Sequence, residues 1–238
     1  MRKIAIANRK GGVGKTTTAV HVAAGLALAG QPTLLIDTDT QGHCSRLLGS
    51  DAPPIAKRLT GDPAPPGKVR ENLYLYSGTR KLAGFSEIQT DRRHRRELIL
   101  SESLSSLEGF EYVILDTPPG FSDLSVNVLF YADSVVIPVS MEVLAVEGLF
   151  ALREEIEEIA RYTSIEIAGI VPTFVDGRVG KTDTILAALD EEFGKLVTFP
   201  IHYSTRFSEL PAHGKTIYEY DGKGRGSLEY AKVAGMVS

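Results

Sequence analysis

The chain has 238 residues, of which 43% are hydrophobic and 24% charged, and its formal net charge is -4 at pH 7. That length and apolar share suit one large α/β domain spanning residues 1–238, with a core of its own and no need of covalent staples. One cysteine, Cys44, excludes an intrachain disulfide framework and fits a reducing compartment, and the mild acidity argues against whole-surface attraction to nucleic acid while allowing a local basic patch.

Met1-Arg2-Lys3 runs straight into the strand-like Ile4–Asn8, without the apolar h-region and cleavage site of a signal peptide. No stretch approaches about 18 uninterrupted apolar residues, so no transmembrane helix is expected. A Gly-rich loop follows, then a helical pattern over Thr16–Ala29 with Ala19, Val22, Ala23 and Leu26 on its apolar face and Gly30 as a stop. Thr33–Asp37 reads as a short apolar strand. Residues 51–72 carry five prolines (Pro53, Pro54, Pro63, Pro65, Pro66) and read as an irregular connection. Leu73–Ser77 is strand-like, Asp91–Leu107 helical with a basic start, and Tyr112–Asp116 a buried-type strand that must turn at Thr117-Pro118-Pro119-Gly120. Val135–Val139, Ile165–Phe174 and Leu196–Ile201 read as strands, Val143–Tyr162 and Thr182–Phe193 as helices. Two helical stretches near 205–213 and 226–235 finish the chain. Strands alternating with helices imply a doubly wound, mostly parallel sheet with helices on both faces.

The first loop, Lys10-Gly11-Gly12-Val13-Gly14-Lys15-Thr16-Thr17, stands between a strand and a helix. Glycines at 11, 12 and 14 let backbone N–H groups turn inward around phosphates, and the helix N-terminus adds its partial positive charge. Lys15 is placed for the β- and γ-phosphates, and the Thr16 hydroxyl for Mg²⁺, which makes ATP and Mg²⁺ the expected cofactors. The general phosphate-loop pattern asks for glycine at position 9; this chain has Arg9, and a second lysine at position 10.

That variant loop resembles the deviant Walker A motif of the ParA/MinD superfamily. Leu34–Gly42, with Asp37-Thr38-Asp39-Thr40-Gln41-Gly42, resembles its DxDxQG signature, and Val113–Pro119 its Walker B strand. Pro138-Val139-Ser140 with Leu144–Leu149, Arg206–Lys215 (similar to RLSEAPSHGK) and Tyr220–Gly226 (similar to YDPKSKG) resemble segments of the ParA/Soj-type partition ATPases in particular. The resemblance implies that Lys10 crosses a dimer interface to the partner's nucleotide. It also implies that Asp116 holds Mg²⁺ through water, that Asp37 supports the metal side and that Asp39 orients the attacking water, so that Lys10, Lys15 and Asp39 are the catalytic set. Carboxylates at the C-terminal ends of parallel strands are where such groups belong.

The same resemblance implies a homodimer on ATP binding, non-specific DNA as a partner, and a cytoplasmic, nucleoid-associated protein. A ParB-like or other adaptor would stimulate hydrolysis, and the cargo would be a plasmid, a chromosome origin or a protein organelle such as a carboxysome. The DNA surface would draw on Arg178, Lys181, Arg206, Lys215, Lys223, Arg225 and Lys232. Where the family often has an arginine near position 203, this chain has Tyr203. A single cysteine cannot build the iron–sulfur bridge or CxxC metal site of cousin families, and His43, His94, His202 and His213 are too scattered for a metal site. The tail Ser227–Ser238 has few cations and a weak apolar face, so it reads as a packed helix and no membrane anchor. Two other functions stay open: a MinD-like membrane-positioning ATPase, and a small-molecule ATP-dependent enzyme on the same fold. The dense run Arg92–Arg96 spreads around a helix axis as a solvated face.

Overall fold

In a computed structural model, residues 1–85 and 95–238 are described, all but 143–147 and 181 with their side chains. Seven strands, β1 (Arg2–Ile6), β2 (Thr33–Asp37), β3 (Gly67–Arg70), β4 (Leu73–Tyr76), β5 (Tyr112–Asp116), β6 (Ser134–Ser140) and β7 (Glu166–Thr173), form one sheet in the order β3-β4-β2-β5-β1-β6-β7. Every pairing is parallel except β3 with β4. The helices are α1 (Lys15–Leu28), α2 (His43–Leu48), α3 (Ile55–Leu59), α4 (Ile99–Ser103), α5 (Asp123–Tyr131), α6 (Val143–Ile159), α7 (Lys181–Phe193), α8 (Arg206–His213), α9 (Ile217–Tyr220) and α10 (Arg225–Val237).

Alternate residues of the central strands feed two cores, as the period of two requires. Leu34, Ile36, Val113 and Leu115 face a core completed by α5, α6 and α7. Ile4, Ile6, Leu35 and Ile114 face the other, which α1 and α10 close. The central strands are apolar throughout because both faces are covered. In α10, Tyr230, Val233, Ala234 and Val237 are buried at helical spacing, so the terminal helix spends its apolar face inside the protein. Among the described residues no helix is long and apolar enough to cross a membrane.

Three stretches differ from their sequence patterns. Residues 51–72 are not a wholly irregular connection, because they hold α3 and the edge strand β3. The short, polar Gly-Lys-Val-Arg of β3 has no apolar alternation to signal it; cross-strand bonds to β4 define it. Leu196–Ile201 forms no strand and meets β7 only through isolated bridges such as Ile170 with Val197. Pro172 and Pro200 lack the N–H groups that a continuous ladder needs. The helix expected over Asp91–Leu107 begins outside the described residues; within them it reduces to a single 3-10 turn at Arg96–Leu98 and the short α4. The helix α5 has no counterpart in the sequence pattern, yet Ser122 and Ser125 cap its N-terminus reciprocally, with Ser125 N–H donating to Ser122 Oγ at 3.3 Å.

His21 ties α1 to the C-terminal segment. Its Nδ1–H donates to the Thr17 carbonyl at 2.6 Å, and its Nε2 accepts from the Ile217 N–H at 2.9 Å, a pattern that only the neutral ring satisfies. The ring stacks on Tyr230 with centroids 4.9 Å apart, and the Thr18 hydroxyl reaches Tyr230 Oη at 3.2 Å. Burial pushes the imidazole down to about 4. Between that value and the ordinary range near 6.5, the unfolded chain binds a proton that the folded chain refuses, so stability falls as pH falls through this window. Urea unfolding at pH 7 and pH 4.5 checks this. His21 accounts for roughly 3 kcal/mol of the loss expected by pH 4, and a His21→Phe variant shows a correspondingly flatter pH profile.

Candidate nucleotide and metal site

The C-terminal ends of β1, β2 and β5 lie side by side, with Asp37 in register with Asp116 and Asp116 with Ile6. The turns leaving these strands therefore converge on one point. Gly12 (φ 75) and Gly14 (φ 88) take left-handed backbone that a side chain would oppose. Asn8 braces the loop: its Oδ1 accepts from the Lys10 N–H at 2.9 Å, and its Nδ2 donates to the Pro138 carbonyl at 2.7 Å. Gly11 adopts no such conformation, and a Cβ there would meet only Pro119, at 3.9 Å.

The cavity above the loop has a volume of about 390 Å³ and is lined by Gly11, Gly12, Gly14, Lys15, Thr16 and Thr17, with Asp39, Gln41, His43, Pro119 and Phe174 around them. Of the remaining loop residues, Val13 is fully buried and its carbonyl accepts from the Thr173 hydroxyl at 2.9 Å. Lys10 extends to the surface and pairs with Glu142. Lys15 is 7% exposed and its Nζ donates to the Lys10 carbonyl at 2.9 Å. Burial lowers its ammonium pKa against the opposing pull of Asp116 and Asp39.

The Thr16 hydroxyl donates to Asp116 Oδ2 at 2.7 Å, and the Cys44 thiol donates to the same oxygen at 3.4 Å. Asp116 Oδ1 is buried with no hydrogen-bond partner. Asp37 accepts from the Asp39 N–H at 2.9 Å and the Cys44 N–H at 3.0 Å. Asp39, near the surface of the cavity, accepts from the Gln41 N–H at 3.0 Å. Burial, then the neighbouring Asp37 charge, raises the Asp116 carboxyl; burial likewise raises Asp37, against the two backbone N–H groups that hold its charged form. Ligand atoms of Asp37, Cys44 and Asp116 all lie within 4.8 Å of one another. Two buried carboxylates, one with an orphan oxygen, beside a threonine hydroxyl and an open cavity form an oxygen-rich donor set that fits a hard divalent cation.

Two contributors escaped sequence reasoning. Cys44 counted there only as a thiol too few for metal chemistry, whereas it is fully buried against both aspartates and burial raises its pKa. Gly78 packs directly under the acidic turn: a Cβ there would stand 2.0 Å from the Asp39 carbonyl oxygen and 2.6 Å from Asp37 Oδ1. No local motif marks Gly78, since the contact is made across β2 and β4.

The proposed DNA cations are only partly assembled. Arg206 and Arg225 line one cavity of about 320 Å³ with His202, Tyr203, Asp221 and Glu229. Arg206 pairs with Asp221, and Arg225 with Glu229 at 2.7 Å. Arg178 is paired with Asp176 at 2.7 Å on the neighbouring loop. Lys215 and Lys223 are exposed, and Lys232 sits over the Phe199 ring at 5.4 Å. The side chain of Lys181 lies outside the described residues, as does most of the Arg92–Arg96 run.

A family model described as an AAA domain matches residues 1–168. The sporulation initiation inhibitor protein Soj of Bacillus subtilis is 35% identical over 247 residues, covering 99% of this chain and 97% of that protein. The chromosome partitioning protein ParA of Caulobacter vibrioides is 35% identical over 255 residues, covering 98% of this chain and 92% of its own. The chain belongs to the ParA/Soj family of partition ATPases. As a family member it is an ATPase that uses ATP to position cargo. A crystal structure of cobyrinic acid a,c-diamide synthase from Mycobacterium smegmatis with bound ADP and magnesium superposes with a TM-score of 0.83 at 29% identity, covering 99% of this chain and 93% of that one. The partition ATPases thus share their doubly wound fold with an enzyme of small-molecule chemistry.

Two outcomes test the site geometry. Asp116→Asn removes a buried charge and is expected to raise the stability of the nucleotide-free protein by about 1–3 kcal/mol, while lowering ATP hydrolysis by about 100-fold or more; urea unfolding and a phosphate-release assay read the two effects. Gly78→Ala displaces the acidic turn, at a cost of about 1–3 kcal/mol, and is expected to weaken nucleotide binding measured by calorimetry.

Proposed function

We propose that this ATPase binds ATP–Mg²⁺ at Lys10–Thr17, closes into a dimer around two nucleotides, coats DNA non-specifically in that state, and leaves it when an adaptor stimulates hydrolysis. The observation that carries the reading is the convergence of Lys15, Thr16 and Asp39 on one cavity, with Asp37 and Asp116 buried at the ends of adjacent strands behind it and Asp116 bonded to Thr16. Thr16 and Asp116 would hold the magnesium side, with Asp37 behind them, and the bound ion would supply charge neutralisation at the phosphates. Gly11, Gly12, Val13, Gly14 and Thr17 contribute the cradle of backbone N–H groups. Asp39 is the carboxylate nearest the open cavity and is suited to orienting a water.

Lys10 supports the dimer step. Its ammonium is at the surface, held by Glu142 within the same chain, and exchanging that carboxylate for a partner's phosphates would make dimerisation depend on nucleotide. The DNA step draws on Arg206 and Arg225 with Arg178, Lys181, Lys215 and Lys232. Because Asp176, Asp221 and Glu229 already neutralise three of these cations, phosphate must compete with carboxylates, and retention should be steeply salt-dependent. The buried apolar face of α10 speaks against a MinD-like membrane anchor. Nucleoid association and the cargo adaptor follow from this reading.

Three measurements check it. Lys15→Ala abolishes ATP binding by calorimetry. Lys10→Ala binds ATP but stays monomeric by light scattering and hydrolyses at a basal rate; a wild-type dimer would remove the sandwich. The ATP-bound protein is retained on non-specific DNA at low salt, and the Arg206→Ala, Arg225→Ala double variant lowers the log–log salt slope by about 2. Full retention by that variant would move the DNA surface elsewhere.

A further inference from the structure

Away from the nucleotide loop, one arginine is buried without a counter-ion among the described residues. Arg58, on α3, is only 8% exposed, which leaves its guanidinium inside the protein. Among the described residues its one hydrogen bond runs from Nη2 to Ser106 Oγ at 2.8 Å, and its Nε–H is buried with no acceptor. No carboxylate stands within ion-pair distance of it there; the neighbouring Asp62 is paired with Lys57 at 3.8 Å. A buried charge without a partner costs several kcal/mol unless an opposite charge reaches it, and guanidinium cannot shed its proton to escape that cost.

Arg58 forms the wall shared by two cavities, of about 570 and 300 Å³. The larger opens beneath the sheet, at Pro32, Asn72 and Phe110, which precede the N-terminal ends of β2, β4 and β5. Its surfaces are flat rings: Tyr74 and Phe110 pack edge to face with centroids 5.3 Å apart, beside Tyr76 and the prolines of 63–66. A lone inorganic ion would leave most of that volume empty. A cavity of several hundred Å³ with aromatic walls, a buried guanidinium and the exposed Glu108 at its edge has the form of a small-molecule site, and the fork of N–H donors matches a planar or tetrahedral oxyanion.

We propose that Arg58 anchors a binding site for a small organic oxyanion, a carboxylate or phosphate carried on a flat apolar body, remote from the ATP site. The anionic group takes the Arg58 guanidinium beside Ser106, with the unsatisfied Nε–H as a further donor once the anion displaces the groups that cover it, and the ring body lies against Tyr74 and Phe110.

The test uses benzoate and phenyl phosphate as probes on the full chain. The buried Arg58 Nε–H gives a ¹⁵N–¹H correlation that an Arg58→Lys variant identifies by its loss. Saturable movement of that signal with either probe, undiminished by saturating ATP–Mg²⁺, is expected, and the stronger of the two distinguishes carboxylate from phosphate. Calorimetry should show affinity for that probe weakened about tenfold or more in Arg58→Met. Arg58→Lys, which keeps the charge and loses the fork, should lie between, and it decides the matter if Arg58→Met fails to fold. An Arg58 signal indifferent to both probes, or equal affinity in wild type and Arg58→Lys together with Arg58→Met, overturns the proposal.

Discussion

Two carboxylates of like charge, Asp37 and Asp116, sit fully buried in register on adjacent strands, and the surrounding structure is arranged around that constraint. In a dry interior such a pair is unfavourable unless protons, hydrogen bonds or a cation compensate it. The protein supplies the first two itself. Backbone N–H groups of Asp39 and Cys44 satisfy Asp37, Thr16 and Cys44 donate to Asp116, and Lys15 lies close enough to oppose their charge. One oxygen of Asp116 remains buried without a partner. The site is thus held short of full satisfaction, which gives a bound cation and nucleotide something to stabilise.

The acidic pair also explains how the C-terminal third is linked to the nucleotide loop. The turn after Asp37 leads within a few residues into α2, and Arg70 joins the far end of α2 to the end of α8 and to α9 by donating to the Leu48 carbonyl at 3.4 Å and the Gly214 carbonyl at 2.7 Å and pairing with Glu219 at 2.7 Å. The loop helix α1 reaches the same segment through His21, whose ring accepts the N–H of Ile217. Two contacts of different chemistry therefore run from the phosphate and metal sides of the site to the stretch between α8 and α9.

Family membership and fold carry different weight here. A parallel sheet with a phosphate loop serves both partition and small-molecule chemistry, so fold alone does not select between them. The selection rests on the second lysine, Lys10, half-buried and paired with Glu142, on the C-terminal signature, and on 35% identity to Soj and ParA over nearly the whole chain. The same C-terminal cations are more neutralised than their spacing suggests. Asp221 and Glu229, which look in sequence like diluting neighbours, are direct partners of Arg206 and Arg225.

The alternation of strands and helices, the phosphate loop and the two aspartates ending apolar runs are all legible in the chain, because each depends on residues close in sequence: hydrophobic period, glycine at tight backbone, and polar groups where a strand must stop. The edge strand β3 and the broken pairing after residue 196 were not, since short or proline-interrupted segments are defined by what lies across the sheet. The same reason separates the site's parts. Sequence by itself singled out Lys10–Thr17, Asp37, Asp39 and Asp116 as the candidate set. Only the tertiary structure decided that Cys44 and Gly78 complete their surroundings, that His21 is a neutral tie to the C-terminal segment, and that Arg58 is buried alone. Those four depend on contacts between strands and helices far apart along the chain, where burial and close approach fix the chemistry of a side chain and local pattern leaves no mark.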